Sequence, residues 1–232
     1  MSKEIIFSFS GGMFPYYLGI ASVLQTYDLS DVVFSCTSGG CFAPLLLNSK
    51  RDIQTTLDAV MEIMKTENKS WEDIINQFLV NELTEDDVHA NNDKLMIKLT
   101  KLDKYFMPEK AVVKKWDNKE DMAKCVAVAC FVPLLCGNKF FTEYKGNRVL
   151  DGFFSGTSTT PVTSLPSMYF SVYKWRSLNP INMLPSDDKA WMRSIFELGV
   201  LDANENLGEI EAFLTQHKEN ATENVDPVRA TE

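Results

Sequence analysis

The feature that most limits how this chain can fold is Phe34-Ser35-Cys36-Thr37-Ser38-Gly39-Gly40, a strand-compatible run that ends in a small-residue turn and passes at once into the helix-compatible stretch 41–48. A strand that feeds a helix through so tight a turn lifts the middle side chain clear of the backbone, and only small residues after it let strand and helix pack beneath. Ser38 takes that corner, with Cys36, Gly39 and Gly40 as the elbow supports. Its hydroxyl is expected near the helix N-terminus, where unpaired N–H groups and the positive end of the dipole favour developing negative charge. A Ser-Gly turn without chemistry has the same pattern, and Cys36 stands where Gly-x-Ser-x-Gly has its first glycine.

A second strand–turn–helix unit precedes the first. Residues 5–9 are β-rich, Ser10-Gly11-Gly12-Met13 breaks the run, and Phe14-Pro15 opens an apolar helix reaching about residue 27, with Pro15 in its first turn. A dinucleotide fingerprint needs G-x-G-x-x-G, and here the next glycine is Gly19. Bare N–H groups at such a loop can instead face an oxyanion, although a plain βα turn would look the same. Loops at the carboxyl ends of neighbouring strands line one crevice in an open α/β sheet, so the glycine loop and Ser38 are expected to share it.

Further along, 52–83 reads as two amphipathic helices, whose apolar faces suit either a core or a lid, and the acidic segment 82–93 interrupts the pattern, leaving His89 in a solvated loop. Leu95, Ile97 and Leu99 alternate with Met96, Lys98 and Thr100, and 111–113 offers a pairing strand. Asn118 caps a helix with Met122, Cys125, Val126 and Ala129 on one face, ended by Pro133. Strands at 139–143 and 148–150 flank the Lys145-Gly146-Asn147 turn, and the second ends on Asp151-Gly152. A strand is expected at 168–175 and helices from residue 187.

Composition narrows the function. A chain of 232 residues with 45% hydrophobic content supports one core, taken as a single domain over 1–216 with a polar tail at 217–232. With 32 acids against 23 bases, a formal charge of −9, nucleic acid is excluded as a partner, and contact with a membrane or lipid droplet has to be mainly apolar. The five cysteines form no CxxC pair and sit in apolar runs, as reduced core thiols do. No apolar run is long enough for a transmembrane helix and no signal peptide is evident, so an intracellular protein, cytoplasmic or peripheral on lipid, is expected, and the Asn-x-Ser/Thr matches at Asn68 and Asn220 are read as chance.

A serine nucleophile needs a base. Ser38, Asp151 and His217 follow the chain order of α/β-hydrolase triads, but too few strands precede Ser38 and His217 borders the polar tail. The alternative is a dyad, in which a carboxylate such as Asp151, at a strand end beside a glycine, takes the serine proton if an apolar crevice raises its pKa from the ordinary value near 3.9. Asp-Gly is also common in plain turns.

Residues 7–12 (Phe-Ser-Phe-Ser-Gly-Gly), Cys36-Thr37-Ser38-Gly39-Gly40 and Val149-Leu150-Asp151-Gly152 together resemble the glycine loop, nucleophile elbow and Asp-Gly motif of patatin-like phospholipases. His89-Ala-Asn-Asn, Ile97-Lys-Leu-Thr and Ala127-Val-Ala-Cys-Phe-Val-Pro are most similar to the branch holding adipose triglyceride lipase and adiponutrin. The resemblance runs from about residue 5 to 175 and implies a three-layer α/β/α sandwich with a mostly parallel central sheet. It also implies a Ser38–Asp151 dyad, an oxyanion hole at Gly11, Gly12 and Met13, and hydrolysis of lipid acyl esters with no metal or organic cofactor. Departures stand at Cys36, at Phe153, which is expected to narrow the acyl site, and at Thr157, where the family often has asparagine. These give the alternative: a catalytically weak homologue that binds lipid or protein on the same scaffold.

Overall fold

A computed structural model describes residues 2–63, 70–184 and 186–215. His217, Asn68, Asn220 and the tail lie outside them.

The fold grows from two strand–turn–helix units in succession. β1 (Lys3–Phe7) leads through a 3-10 turn at Gly11–Met13 into α1 (Phe14–Leu24), and β2 (Val32–Thr37) leads through a 3-10 turn at Ser38–Cys41 into α2 (Phe42–Asn48). Three more helices follow: α3 (Ile53–Ile63), α4 (Trp71–Glu82) and α5 (Glu85–Asn91). Then come β3 (Leu95–Leu102), β4 (Pro108–Val113), α6 (Lys119–Ala129), β5 (Thr142–Tyr144), β6 (Asn147–Asp151), β7 (Ser167–Phe170), α7 (Lys189–Glu205) and α8 (Leu207–Thr215). The α/β class is as expected: a mixed sheet, mostly parallel at its centre and flanked by helices, consistent with a three-layer sandwich. β7, β1, β2 and β3 run parallel, while β4 and β6 join β3 antiparallel.

The pairing at β3 positions the site. Residues 97 and 98 pair with both β2 and β4, and residues 99 to 101 pair with both β4 and β6. A strand has two edges, so β2 and β6 must share one edge of β3, end to end. Thr37, the last residue of β2, lies opposite Lys98, and Asp151, the last of β6, lies opposite Leu99. Two strand ends distant in sequence therefore meet at consecutive positions on a third.

Alternation splits the sheet into unlike faces. Ile5, Phe7, Phe34, Cys36, Ile97 and Leu99 belong to one hydrophobic core with α1, α2, α3, α6 and α7. The opposite face carries Glu4, Thr37, Lys98 and Thr100, all buried. The connection 152–166 covers it, fastened at two points. Lys98 Nζ donates to the carbonyls of Thr157, Ser158 and Thr160 at 3.1, 3.1 and 2.7 Å. Glu4 accepts from the backbone N–H of Val162 and Thr163 and from the Thr163 hydroxyl.

Most expected elements are present; the strand expected at 139–143 is confined to Thr142–Tyr144, and three further differences stand out. The acidic segment is a helix, α5, because Thr84 and Asp87 form a reciprocal capping box and three acids occupy its first turn, favourable to the dipole. His89 thus lies exposed on a helix rather than in a loop. β7 stops at Phe170, shorter than expected. The two amphipathic faces serve as core and as pocket wall at once, as described below. All five cysteines are buried and free, as expected.

Lys98→Met would strip the donor from three carbonyls, and a cost on the order of 3 kcal/mol is expected, since breaking a buried charged network strands its partners. Urea unfolding should show a lower midpoint at unchanged slope; a shift below about 0.5 kcal/mol, the scatter of ordinary surface changes, would show that Lys98 does not hold the connection down.

Candidate active site

At the end of β2, Ser38 has φ 57°, in the left-handed region that a non-glycine residue rarely enters. Thr37 before it is extended, at φ −142°, and Cys41 after the turn is already helical. The strain of the elbow falls on the serine itself, a common mark of functional sites. What holds it there is the glycine loop. A Cβ on Gly39 would come within 2.6 Å of Ser10 Oγ and 2.7 Å of the Gly11 carbonyl, and one on Gly40 within 2.2 Å of the Ser8 carbonyl. Gly39 and Gly40 therefore support the elbow by letting two backbones touch.

Cys36 plays a different part from the one expected at an elbow's first glycine. It sits in regular strand register opposite Phe7 and Ile97, fully buried beside Cys41. Its Cβ therefore strains nothing. Burial pushes its thiol above the usual range.

Asp151 is 1% exposed, with its backbone pinned on both sides: its N–H donates to the Phe131 carbonyl at 2.9 Å, and its carbonyl accepts from Thr100 Oγ1 at 2.7 Å. Oδ1 accepts from the Phe153 N–H at 2.8 Å. The Ser38 hydroxyl also acts on the carboxyl, favouring its charged form. Desolvation outweighs both and raises the pKa to about 7. Gly152 follows because a Cβ there would lie 2.3 Å from the Lys98 carbonyl.

In the glycine loop, Gly11 has φ 52° and packs against the Met183 carbonyl. The Met13 N–H donates to the Ser10 carbonyl at 3.0 Å and so closes the turn. Gly11, Gly12, Ser38 and Gly39 line the floor of one pocket. Its walls are Phe14, Phe42, Phe78, Trp71, Ile75 and their neighbours on α3 and α4, with Val132, Leu135 and Cys136 opposite. It is a narrow, almost wholly apolar slot with a cavity volume of about 80 Å³, below the roughly 300–1,000 Å³ of typical small-molecule sites. Phe153 does not line it; half exposed, its ring packs at a steep tilt against Phe9, centroids 4.5 Å apart, so it leaves the pocket's width unchanged.

Sequence reading brought Ser38, Asp151 and the glycine loop together but missed Lys98 and Glu4, which fix the segment just after Asp151. A lysine in an alternating strand reads as solvent-facing, and only the loop folded over it reveals otherwise. Among the described residues, no group of His, Cys, Asp and Glu is arranged to hold a metal ion.

No family model matches the chain. It is 35% identical over 83 residues to the omega-hydroxyceramide transacylase of Homo sapiens, a match covering 36% of this chain and 15% of that protein. The Mus musculus protein of the same name is 34% identical over 83 residues, covering 35% of this chain and 13% of its own length. The likeness thus spans about a third of the chain and is to lipid-acting, acyl-transferring enzymes.

Asp151→Asn keeps the geometry and removes the charge. It should melt no lower than wild type at pH 8, and higher if anything. The folded carboxyl holds its proton up to about pH 7, whereas the unfolded one releases it near 3.9, so wild-type stability is lost as pH rises between those values. Esterase kcat/KM in wild type should rise with pH through about 7, and Asp151→Asn should lose something like 10⁴-fold, as when a triad carboxylate is neutralised. A wild-type profile flat from pH 5 to 9, or a mild effect of the substitution, would remove Asp151 from the chemistry.

Proposed function

We propose that this chain is a patatin-like serine acyl hydrolase that cleaves carboxylic esters of phospholipid or acylglycerol. One observation carries the reading: a serine held at φ 57° beside a buried aspartate whose pKa is raised to about 7, on the floor of an apolar pocket. The acyl chain lies along the apolar walls and the ester carbonyl sits over Ser38. Ser38 Oγ attacks the carbonyl carbon as Asp151 takes the hydroxyl proton, and the negative oxygen faces the glycine-loop amides at Gly11 and Gly12, with Met13 closing that turn. Collapse expels the alcohol, which takes the proton from Asp151, and leaves an acyl-serine. Water then attacks, Asp151 accepts its proton, and release of the fatty acid returns that proton to Ser38 Oγ.

The two relatives named above bear on the last step. A transacylase delivers the acyl group to an alcohol rather than to water, and the same acyl-serine serves both outcomes. Hydrolysis is the reading preferred here, with transfer to a lipid alcohol as the variant to test. The finer placement beside adipose triglyceride lipase and adiponutrin rests on the sequence motifs alone.

The test is release of fatty acid from phosphatidylcholine, diacylglycerol and a soluble short-chain ester, with and without an added long-chain alcohol. Wild type should cleave at least one lipid and the soluble ester, and Ser38→Ala should fall to background while melting normally. A Ser38→Ala protein that keeps its activity, or a folded wild type that cleaves no ester and transfers no acyl group, would refute the assignment.

A further inference from the structure

The tip of the β3–β4 hairpin displays Tyr105, Phe106 and Met107 to solvent, Tyr105 at 71% exposure. The tip is rigidly built. Asp103 Oδ1 accepts from the N–H of Tyr105 and of Met107 at 2.7 and 2.8 Å, and the Asp103 and Met107 backbones also bond at 3.0 Å. Phe106 has φ 63°, where glycine or asparagine would be comfortable and a bulky aromatic is not. The loop between α6 and β5 repeats the pattern: Leu134 has φ 64° and is 66% exposed, with Phe140 nearby at 74%. Two neighbouring loops each accept strain at an apolar residue they then leave in water. Folding gains nothing from that exposure.

The two loops form one surface. The Phe106 and Phe141 rings lie 6.1 Å apart, and the Arg148 guanidinium covers both. Beneath them, Phe131, Cys136 and Leu150 form a small core of their own, against which Leu102, Phe141, Trp71 and Val132 pack. Trp71, Val132 and Cys136 also line the pocket that reaches Ser38, and half-exposed Leu135 stands at its wall. Because β3 runs parallel to β1 and β2, the hairpin overhangs the edge of the sheet at which the glycine loop and Ser38 lie. An apolar surface thus continues from the hairpin tip to the pocket.

We propose that this surface, formed by the 103–107 hairpin tip and the 134–140 loop, docks the protein onto a phospholipid surface with the pocket facing it. The occupant follows from the chemistry of the rim. On a chain of net charge −9, the patch is edged by cations: Lys104, whose ammonium lies 4.8 Å from the centre of the Tyr105 ring, Lys139 and Arg148. Long cationic side chains can lie along aromatic rings and reach phosphates while the rings enter the headgroup region. Glu109 and Glu143 are exposed on the adjoining strands, so attachment is mainly apolar, with phosphate contacts orienting it. Among the described residues no helix is long and apolar enough to cross a membrane. The docking rests on the proposed lipid chemistry only for its purpose; it can be measured without turnover.

The experiment is co-sedimentation of the full chain with phosphatidylcholine vesicles, with and without phosphatidylserine. Wild type and Ser38→Ala should bind both kinds of vesicle alike. Changing Tyr105, Phe106 and Met107 together to serine should lower the partition coefficient by about tenfold or more, since interfacial binding scales with buried apolar area. Leu134→Ser with Phe140→Ser, on the second loop, should lower it independently. Both variants should melt like wild type and cleave the soluble short-chain ester at its rate. A wild type that stays in solution with both vesicle types, or variants that partition as it does, would overturn the docking surface. Binding confined to phosphatidylserine and abolished by salt would overturn its apolar character. Loss of lipid hydrolysis with vesicle binding intact would count against the catalytic reading alone.

Discussion

The backbone of the glycine loop and the backbone of the elbow are in direct contact, and much of the site depends on that contact. Gly39 and Gly40 have no room for a Cβ because the Gly11 and Ser8 carbonyls stand where it would be. The approach locks the Ser38 turn and brings Gly11 and Gly12 beside Ser38 in the lining of one pocket. Regular pairing of β1 with β2 brings the two loops together, since parallel neighbours deliver their carboxyl ends to the same edge of the sheet.

Asp151 arrives by another route. It follows an antiparallel strand that takes over the edge of β3 where β2 leaves it, so the aspartate meets the serine across the gap between two strand ends. Such a position is dry, and that desolvation accounts for the raised pKa, while Thr100 and Phe131 pin the backbone. The Lys98 and Glu4 anchors hold down the chain that leaves it. A buried ammonium is costly. Here its pKa falls to about 8 through desolvation, which still leaves it largely charged at neutral pH, facing three carbonyls.

Much of this was legible in the chain itself. The elbow, the glycine loop and the Asp-Gly strand end were each visible because small residues at fixed offsets have few uses beyond sharp turns and close approach. The hydrophobic periods of α3, α4 and α6 were equally plain. The helical α5 was hidden because acidic residues read as solvent-facing loop until the Thr84–Asp87 cap is considered. The burial of Lys98, the ordinary strand geometry of Cys36 and the displacement of Phe153 from the pocket depend on pairing and on the path of a loop. Local pattern does not encode these. Nor does it encode the sharing of one β3 edge by β2 and β6, the arrangement that makes a serine and an aspartate more than a hundred residues apart neighbours.

The central claim is that geometry singles out one serine of this chain for nucleophilic attack, and a fluorescent organophosphorus serine probe tests it most directly. The folded protein would be labelled at pH 8, digested, and the adduct located by peptide mass spectrometry. The account predicts a single adduct on Ser38, strongly reduced in Asp151→Asn. An adduct on any other serine, or equal labelling of Ser38 after Asp151→Asn, would contradict it.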